Sequence, residues 1–137
     1  MNTTTHATAA LTVLIVEDNE KNMKLARDLL RVGGFSTVEA TAGEEGVSRA
    51  REHRPDLVLM DIQLPDFDGW EALRRLREDP TTADLVVVAV TAYATAGDEA
   101  RFLAGGFDAY LPKPIDARTF SDTIRGLCQK RRSAGGA

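Results

Sequence analysis

The 137-residue chain carries a single cysteine, Cys128, so no disulfide can form within it. Cys128 lies in an apolar helical pattern and reads as a packing thiol. No apolar run approaches the ~20 residues that a membrane span requires, which argues against a membrane protein. The opening from Asn2 to Ala10 is rich in Ala and Thr but lacks the positive start and apolar centre of a signal peptide, so a cytoplasmic protein is expected. Basic residues are not in excess either. Seventeen Lys and Arg against 21 Asp and Glu leave a net charge of -4, which gives no electrostatic footing for nucleic acid. The one basic cluster, Lys130-Arg131-Arg132, is short and reads as a solvated tail. The sequence shows no internal repeat and no linker, and its length suits one domain with an ordinary core.

Hydrophobic residues at 43% and charged residues at 28% describe a soluble globular protein. Leu11 to Val16 reads as a first buried strand, ending at the acidic pair Glu17-Asp18. From Asn19 a helix follows, with Met23, Ala26, Leu29 and Leu30 at helical spacing and Gly33-Gly34 as its stop. Phe35 to Ala40 forms a shorter strand, and Glu44 to Glu52 a helix turning Val47 and Ala50 inward. Leu57-Val58-Leu59-Met60 is continuously apolar, as in a strand covered on both faces of a parallel sheet, and it stops at Asp61. Beyond it the chain turns: Pro65 lacks a donor, and Gly69 is expected to supply a left-handed conformation. Trp70, Leu73 and Leu76 mark a helix ending before Pro80. Leu85 to Val90 is the most β-branched run and ends at Thr91. A small-residue helix over residues 97–105 presents Ala100, Leu103 and Ala104. Ala109-Tyr110-Leu111 forms a fifth strand ending at Lys113-Pro114, and a last helix, from Ala117 to Gln129, starts after Asp116 and buries Phe120, Ile124 and Leu127.

Strands alternating with helices five times predict an α/β fold: a single doubly wound domain with a five-stranded parallel sheet, right-handed crossovers and helices on both faces. The domain is expected over residues 11–130, with disordered tails at 1–10 and 131–137. In such a sheet the carboxyl ends of the strands lie side by side, where open α/β folds place their ligand sites. Glu17, Asp18, Asp61, Thr91 and Lys113 all fall there. Taken singly, each has an ordinary reading: the acids as strand ends or helix caps, Thr91 as a structural hydroxyl, Lys113 as a solvated charge, Tyr110 as a packing ring. Their shared position favours a common site. Three neighbouring carboxylates repel one another and call for a raised pKa, a cation or a metal. All-oxygen ligands with open positions suit Mg²⁺, and Lys113 supplies the cation. One carboxylate can then act as nucleophile toward a phosphoryl donor, with Thr91 donating to a phosphoryl oxygen.

Val-Glu-Asp at 16–18, Met-Asp-Ile-Gln-Leu-Pro at 60–65, Val-Thr-Ala at 90–92 and Lys-Pro-Ile at 113–115 resemble the receiver domains of bacterial two-component response regulators, the CheY-like family. The resemblance covers about Leu11 to Lys130. It implies a flavodoxin-like, CheY-like fold, with Asp61 as phosphoacceptor and Glu17 and Asp18 as the acidic metal pair. The backbone carbonyl of Gln63 would complete the Mg²⁺ shell. Thr91 corresponds to the switch hydroxyl, Tyr110 to the switch aromatic and Lys113 to the family lysine, with a cis peptide at Lys113-Pro114. It further implies a phosphoprotein signalling by protein contact rather than an enzyme, apart from slow self-dephosphorylation. A sensor histidine kinase or histidine phosphotransfer protein would supply the phosphoryl group. A downstream protein would read a face made of residues 92–105, 109–112 and 117–129. The main alternative is an aspartyl-phosphate hydrolase of the haloacid dehalogenase type, but that chemistry wants a second aspartate two residues after the nucleophile, where Gln63 stands. A flavodoxin-like electron carrier would need a phosphate-cradling loop after the first strand, where Glu17-Asp18 would repel phosphate. A degenerate receiver that never takes phosphate is disfavoured by the intact acids.

Overall fold

The computed structural model describes residues 10–92 and 97–136, with side chains described as far as Gln129. The elements in chain order are β1 (Thr12–Val16), α1 (Glu20–Val32), β2 (Ser36–Ala40), α2 (Gly43–His53), β3 (Leu57–Asp61), α3 (Gly69–Glu78), β4 (Val86–Thr91), α4 (Asp98–Ala104), β5 (Ala109–Pro112) and α5 (Phe120–Gly136). All strand pairings are parallel, and the sheet order is β2-β1-β3-β4-β5. The expected architecture is therefore the observed one.

The sheet divides the core into two halves. Every residue of β3 and β4 is buried, because helices cover both faces. Val13, Ile15, Leu57, Leu59, Val86 and Val88 point to one side, against Met23, Ala26 and Leu30 of α1 and Phe120, Ile124 and Cys128 of α5. Leu14, Val58, Met60, Val87 and Ala89 point to the other, against Val47 and Ala50 of α2, Leu73 and Leu76 of α3, and Phe102 of α4. The alternation follows from the two-residue period of a strand, and each fully buried aliphatic side chain contributes about 1.5–3 kcal/mol.

Local signals set the helix ends. The Asn19 side chain accepts a hydrogen bond from the Asn22 N–H at 3.0 Å and so caps α1. At its other end Gly34 adopts φ 94°, a conformation glycine enters at little cost, and returns the chain to β2. Asp68 caps α3 by accepting from the Glu71 N–H at 3.0 Å. Two expectations need correction. Leu103 of α4 is 45% exposed, and the buried residue of that helix is Phe102 at 2%. The helical segment after Asp116 opens with a turn, and regular helix starts only at Phe120. The Asp116 side chain caps that turn, accepting from the Arg118 N–H at 3.0 Å. The helix extends to Gly136.

Candidate functional site

The carboxyl edge of the sheet is built from the ends of four strands. Glu17 follows β1, and its N–H donates to the Ala40 carbonyl at 3.0 Å, which fixes it at the rim beside β2. The residue is 6% exposed, and its side chain accepts at Oε2 from the Asn19 N–H at 3.1 Å. Asp18, the next residue, is exposed. Asp61 is the last residue of β3 and only 5% exposed; its Oδ1 accepts from the Gln63 N–H at 3.2 Å. Thr91 closes β4 and is buried, with its carbonyl accepting from the Lys113 N–H at 2.9 Å. That backbone bond carries Lys113 back over the sheet edge. The Lys113 ammonium lies 2.9 Å from Glu17 Oε1 and 3.3 Å from Asp61 Oδ2. The peptide linking Lys113 to Pro114 is cis, as the resemblance implied.

An open polar cleft over this edge is lined by Glu17, Asp18, Asn22, Asp61, Gln63 and Lys113. Thr91 is buried beside it rather than lining it. Tyr110 lies farther off, two residues upstream of the Pro112 that pairs with Thr91. Its ring is half-buried and stacks on Phe102 at 5.3 Å between centroids and 13° between planes. Phe102 in turn stacks on Trp70 at 5.1 Å and 8°. The two residues that the resemblance implies as a switch pair thus share one side of the sheet, Thr91 at the buried end of β4 and the Tyr110 ring in an aromatic column joining α3, α4 and β5. Residues 93–96, which fall within the expected output face, lie outside the described residues.

Gly69 is not the left-handed residue expected of it. The described glycines with positive φ are Gly34 and Gly106, whereas Gly69 opens α3. A Cβ there would lie 2.7 Å from the Asp61 carbonyl oxygen and 2.9 Å from Ile62 Cα, both backbone atoms. The glycine is required for close approach: its N–H donates to the Ile62 carbonyl at 2.8 Å and holds the start of α3 against the acidic strand end.

Burial pushes the Asp61 carboxyl up to about 6, and the Glu17 carboxylate adds to the rise; the Lys113 ammonium and the Gln63 N–H pull it only partway back. Burial also works against the charge on Lys113, but its hydrogen bond to Glu17 and the charges of both acids outweigh it, so its pKa stands above the ordinary lysine value. One ammonium therefore serves two buried acids, and Asp61 keeps a charge that is incompletely balanced. Glu17, Asp18 and Asp61 can each bring a carboxylate oxygen within 4.8 Å of the others. This all-oxygen set, with an exposed member facing water and an unbalanced carboxylate within, fits a divalent hard cation such as Mg²⁺.

Two residues that shape this edge escaped the sequence reading. Asn22 reaches the cleft one turn into α1. Asp66 accepts from the N–H groups of Gly43 and Glu44 at 2.7 and 2.9 Å. The available signal was an unfilled need: Ala42, at the N-cap of α2, makes no side-chain cap bond.

Known proteins resemble the chain in sequence and in fold. The family described as the response regulator receiver domain matches residues 13–125. The polar-differentiation response regulator DivK of Brucella anthropi is 50% identical over 113 residues, which cover 82% of this chain and 92% of that protein. A CheY-like receiver domain protein from Methanospirillum hungatei superposes with a TM-score of 0.82 at 25% identity, covering 92% of this chain and 99% of that one. The receiver domain of the sensor histidine kinase PA1611 from Pseudomonas aeruginosa, solved with magnesium coordinated in its active-site cleft, gives 0.80 at 30% identity, covering 88% and 99%. None of these similarities supports the haloacid dehalogenase alternative. Sequence, topology and the acids at the sheet edge agree, and the chain belongs to the response regulator receiver domain family.

Proposed function

We propose that the chain works as a single-domain phosphoacceptor, taking a phosphoryl group on Asp61 from a phosphohistidine of a sensor kinase or phosphotransfer protein in the cytoplasm. The observation that carries this reading is the Lys113 ammonium held between two buried acids, Glu17 at 2.9 Å and Asp61 at 3.3 Å, at the mouth of an open cleft. In the transfer, a carboxylate oxygen of Asp61 attacks phosphorus, the phosphorus–nitrogen bond breaks, and the imidazole, already protonated on its other ring nitrogen, leaves as the neutral base with the bonding pair. Glu17, Asp18, Asp61 and the backbone carbonyl of Gln63 would hold Mg²⁺. Bound there, the metal supplies positive charge to the phosphoryl oxygens as they approach an otherwise repelling acidic pocket. Lys113 exchanges its Asp61 contact for a phosphoryl oxygen, and Thr91 donates its hydroxyl to another.

Movement of Thr91 alters the packing beside Tyr110, and the aromatic column passes the change to the face formed by residues 92–105, 109–112 and 117–129, where a downstream protein binds. Slow hydrolysis of the acyl phosphate returns the resting state. The relatives named above support this reading, DivK through its naming as a response regulator and the PA1611 receiver domain through its magnesium. Incubation with acetyl phosphate and Mg²⁺, followed by intact-mass measurement, is the test. The wild-type chain is expected to gain one phosphoryl mass and Asp61→Asn none, because an amide is neither nucleophile nor anion. Equal gain by the variant would overturn the assignment of Asp61.

A further inference from the structure

The loop between β3 and α3 carries Gln63 and is pinned at three points. Its start is held by the Ile62 N–H donating to Val90 at 3.2 Å, and its end by Gly69 donating to Ile62 at 2.8 Å. The third pin crosses to another element. Asp66 spreads its two carboxylate oxygens over the first N–H groups of α2, Oδ1 on Gly43 at 2.7 Å and Oδ2 on Glu44 at 2.9 Å. A helix start leaves such donors unsatisfied and carries partial positive charge, so a carboxylate there is held by two charge-assisted bonds. The attachment is backed by packing. The Phe67 ring fills the space over Gly43, where a Cβ would lie 2.5 Å from the ring, and the Arg75 guanidinium sits 4.1 Å from the same ring's centroid. A local cap would have satisfied α2 without involving the loop, yet Ala42 offers none.

We infer that Asp66 is a positioning residue for the phosphoacceptor cleft: by tying the middle of the β3–α3 loop to α2, it holds Gln63 in place beside Asp61. The Gln63 N–H reaches Asp61 Oδ1 at 3.2 Å, so a loop released at Asp66 loses the backbone donor that orients that carboxylate. The Gln63 carbonyl, which the proposed function assigns to Mg²⁺, moves with it. The inference rests on that assignment. Groups that orient metal ligands without touching the metal commonly alter affinity by tenfold or more.

The test separates positioning from simple helix capping. Mg²⁺ affinity is measured by calorimetry on the unphosphorylated protein, beside thermal melting, for the wild type, Asp66→Ala, Asp66→Asn, and the double variant Ala42→Asp/Asp66→Ala, which restores a cap from within α2. Ala42 has the extended backbone, φ -149° and ψ 163°, that a capping aspartate uses. Asp66→Ala is expected to weaken Mg²⁺ binding about tenfold. Asp66→Asn, keeping one acceptor oxygen, should recover most of the loss. The double variant should regain the melting temperature but not the affinity. Recovery of affinity in the double variant, or wild-type affinity in Asp66→Ala, would overturn the inference and leave the proposed function standing. A wild-type chain that binds no Mg²⁺ would instead overturn the metal assignment and the inference with it.

Discussion

Asp61 combines three demands that conflict in a resting protein: it is buried, it faces another buried acid, and it must be ionised to act as a nucleophile. The carboxyl holds its proton up to about 6 in the folded chain against an ordinary value of 3.8. Between those values the folded state binds more protons than the unfolded one, so this group's contribution makes stability fall as pH rises through the window, and the cost persists above it. Asp61→Asn removes the cost. The variant is expected to be more stable than the wild type by on the order of 1–2 kcal/mol at pH 7.5, after allowance for water in the open cleft, with little difference at pH 4. Urea unfolding at both pH values checks this, and an equal difference at both would place the strain elsewhere. A second expectation concerns Asp18. Mg²⁺ should raise the melting temperature of the wild type, by mass action, further as its concentration grows, and Asp18→Ala should lose most of that gain. An unchanged response in the variant would remove Asp18 from the metal shell. At this scale the sequence was informative where chemistry sits at strand ends: Glu17, Asp61, Thr91 and Lys113 could be placed on one edge by period and polarity alone. Asp66 could not, because its partners are backbone N–H groups more than 20 residues upstream, and no residue pattern records which loop a helix start will meet.

Elements of this fold were legible to the degree that burial dictates their composition. β3 and β4, covered on both faces, are uninterrupted apolar runs, while the edge strand β2 mixes Ser, Thr and Glu with Val and is exposed at its first residue. The helix α4 misled for a physical reason. Seven residues make barely two turns, too few for helical spacing to identify a buried face, and Ala100, Leu103 and Ala104 all face outward. Its attachment falls to Phe102, wedged between Trp70 and Tyr110 with Phe107 set edge-on at 5.8 Å. Phe102→Ala is expected to cost about 3 kcal/mol, the usual range for a deleted core aromatic. It should also change the fluorescence of Trp70, which loses its stacking partner. A loss under 1 kcal/mol with unaltered fluorescence would show that α4 is held by something other than this ring. Gly69 shows a related limit: glycine was expected, but for its turn conformation, whereas the need is for room beside the Asp61 carbonyl.

Across the whole molecule, the parallel sheet separates the two core halves and gathers at one edge every charged group of the proposed transfer. Among the described residues no helix is long and apolar enough to cross a membrane. On the proposed reading the aromatic column of Trp70, Phe102 and Tyr110 carries the change from Thr91 toward α4 and β5. Addition of beryllium fluoride and Mg²⁺ as a phosphoryl mimic is expected to alter amide exchange mainly in α4, β5 and the first turns of α5. Tyr110→Ala should shrink those changes while leaving phosphoryl uptake nearly intact. Changes confined to α1 would put the responsive face elsewhere. The most direct test of the account is to locate the phosphoryl group itself: phosphorylate the protein with acetyl phosphate and Mg²⁺, trap the acyl phosphate by borohydride reduction, which converts a phosphorylated aspartate to homoserine, and map the peptides by mass. The account predicts homoserine at position 61 and at no other aspartate; homoserine at another position, or unmodified Asp61 in a chain that has gained the phosphoryl mass, would contradict it.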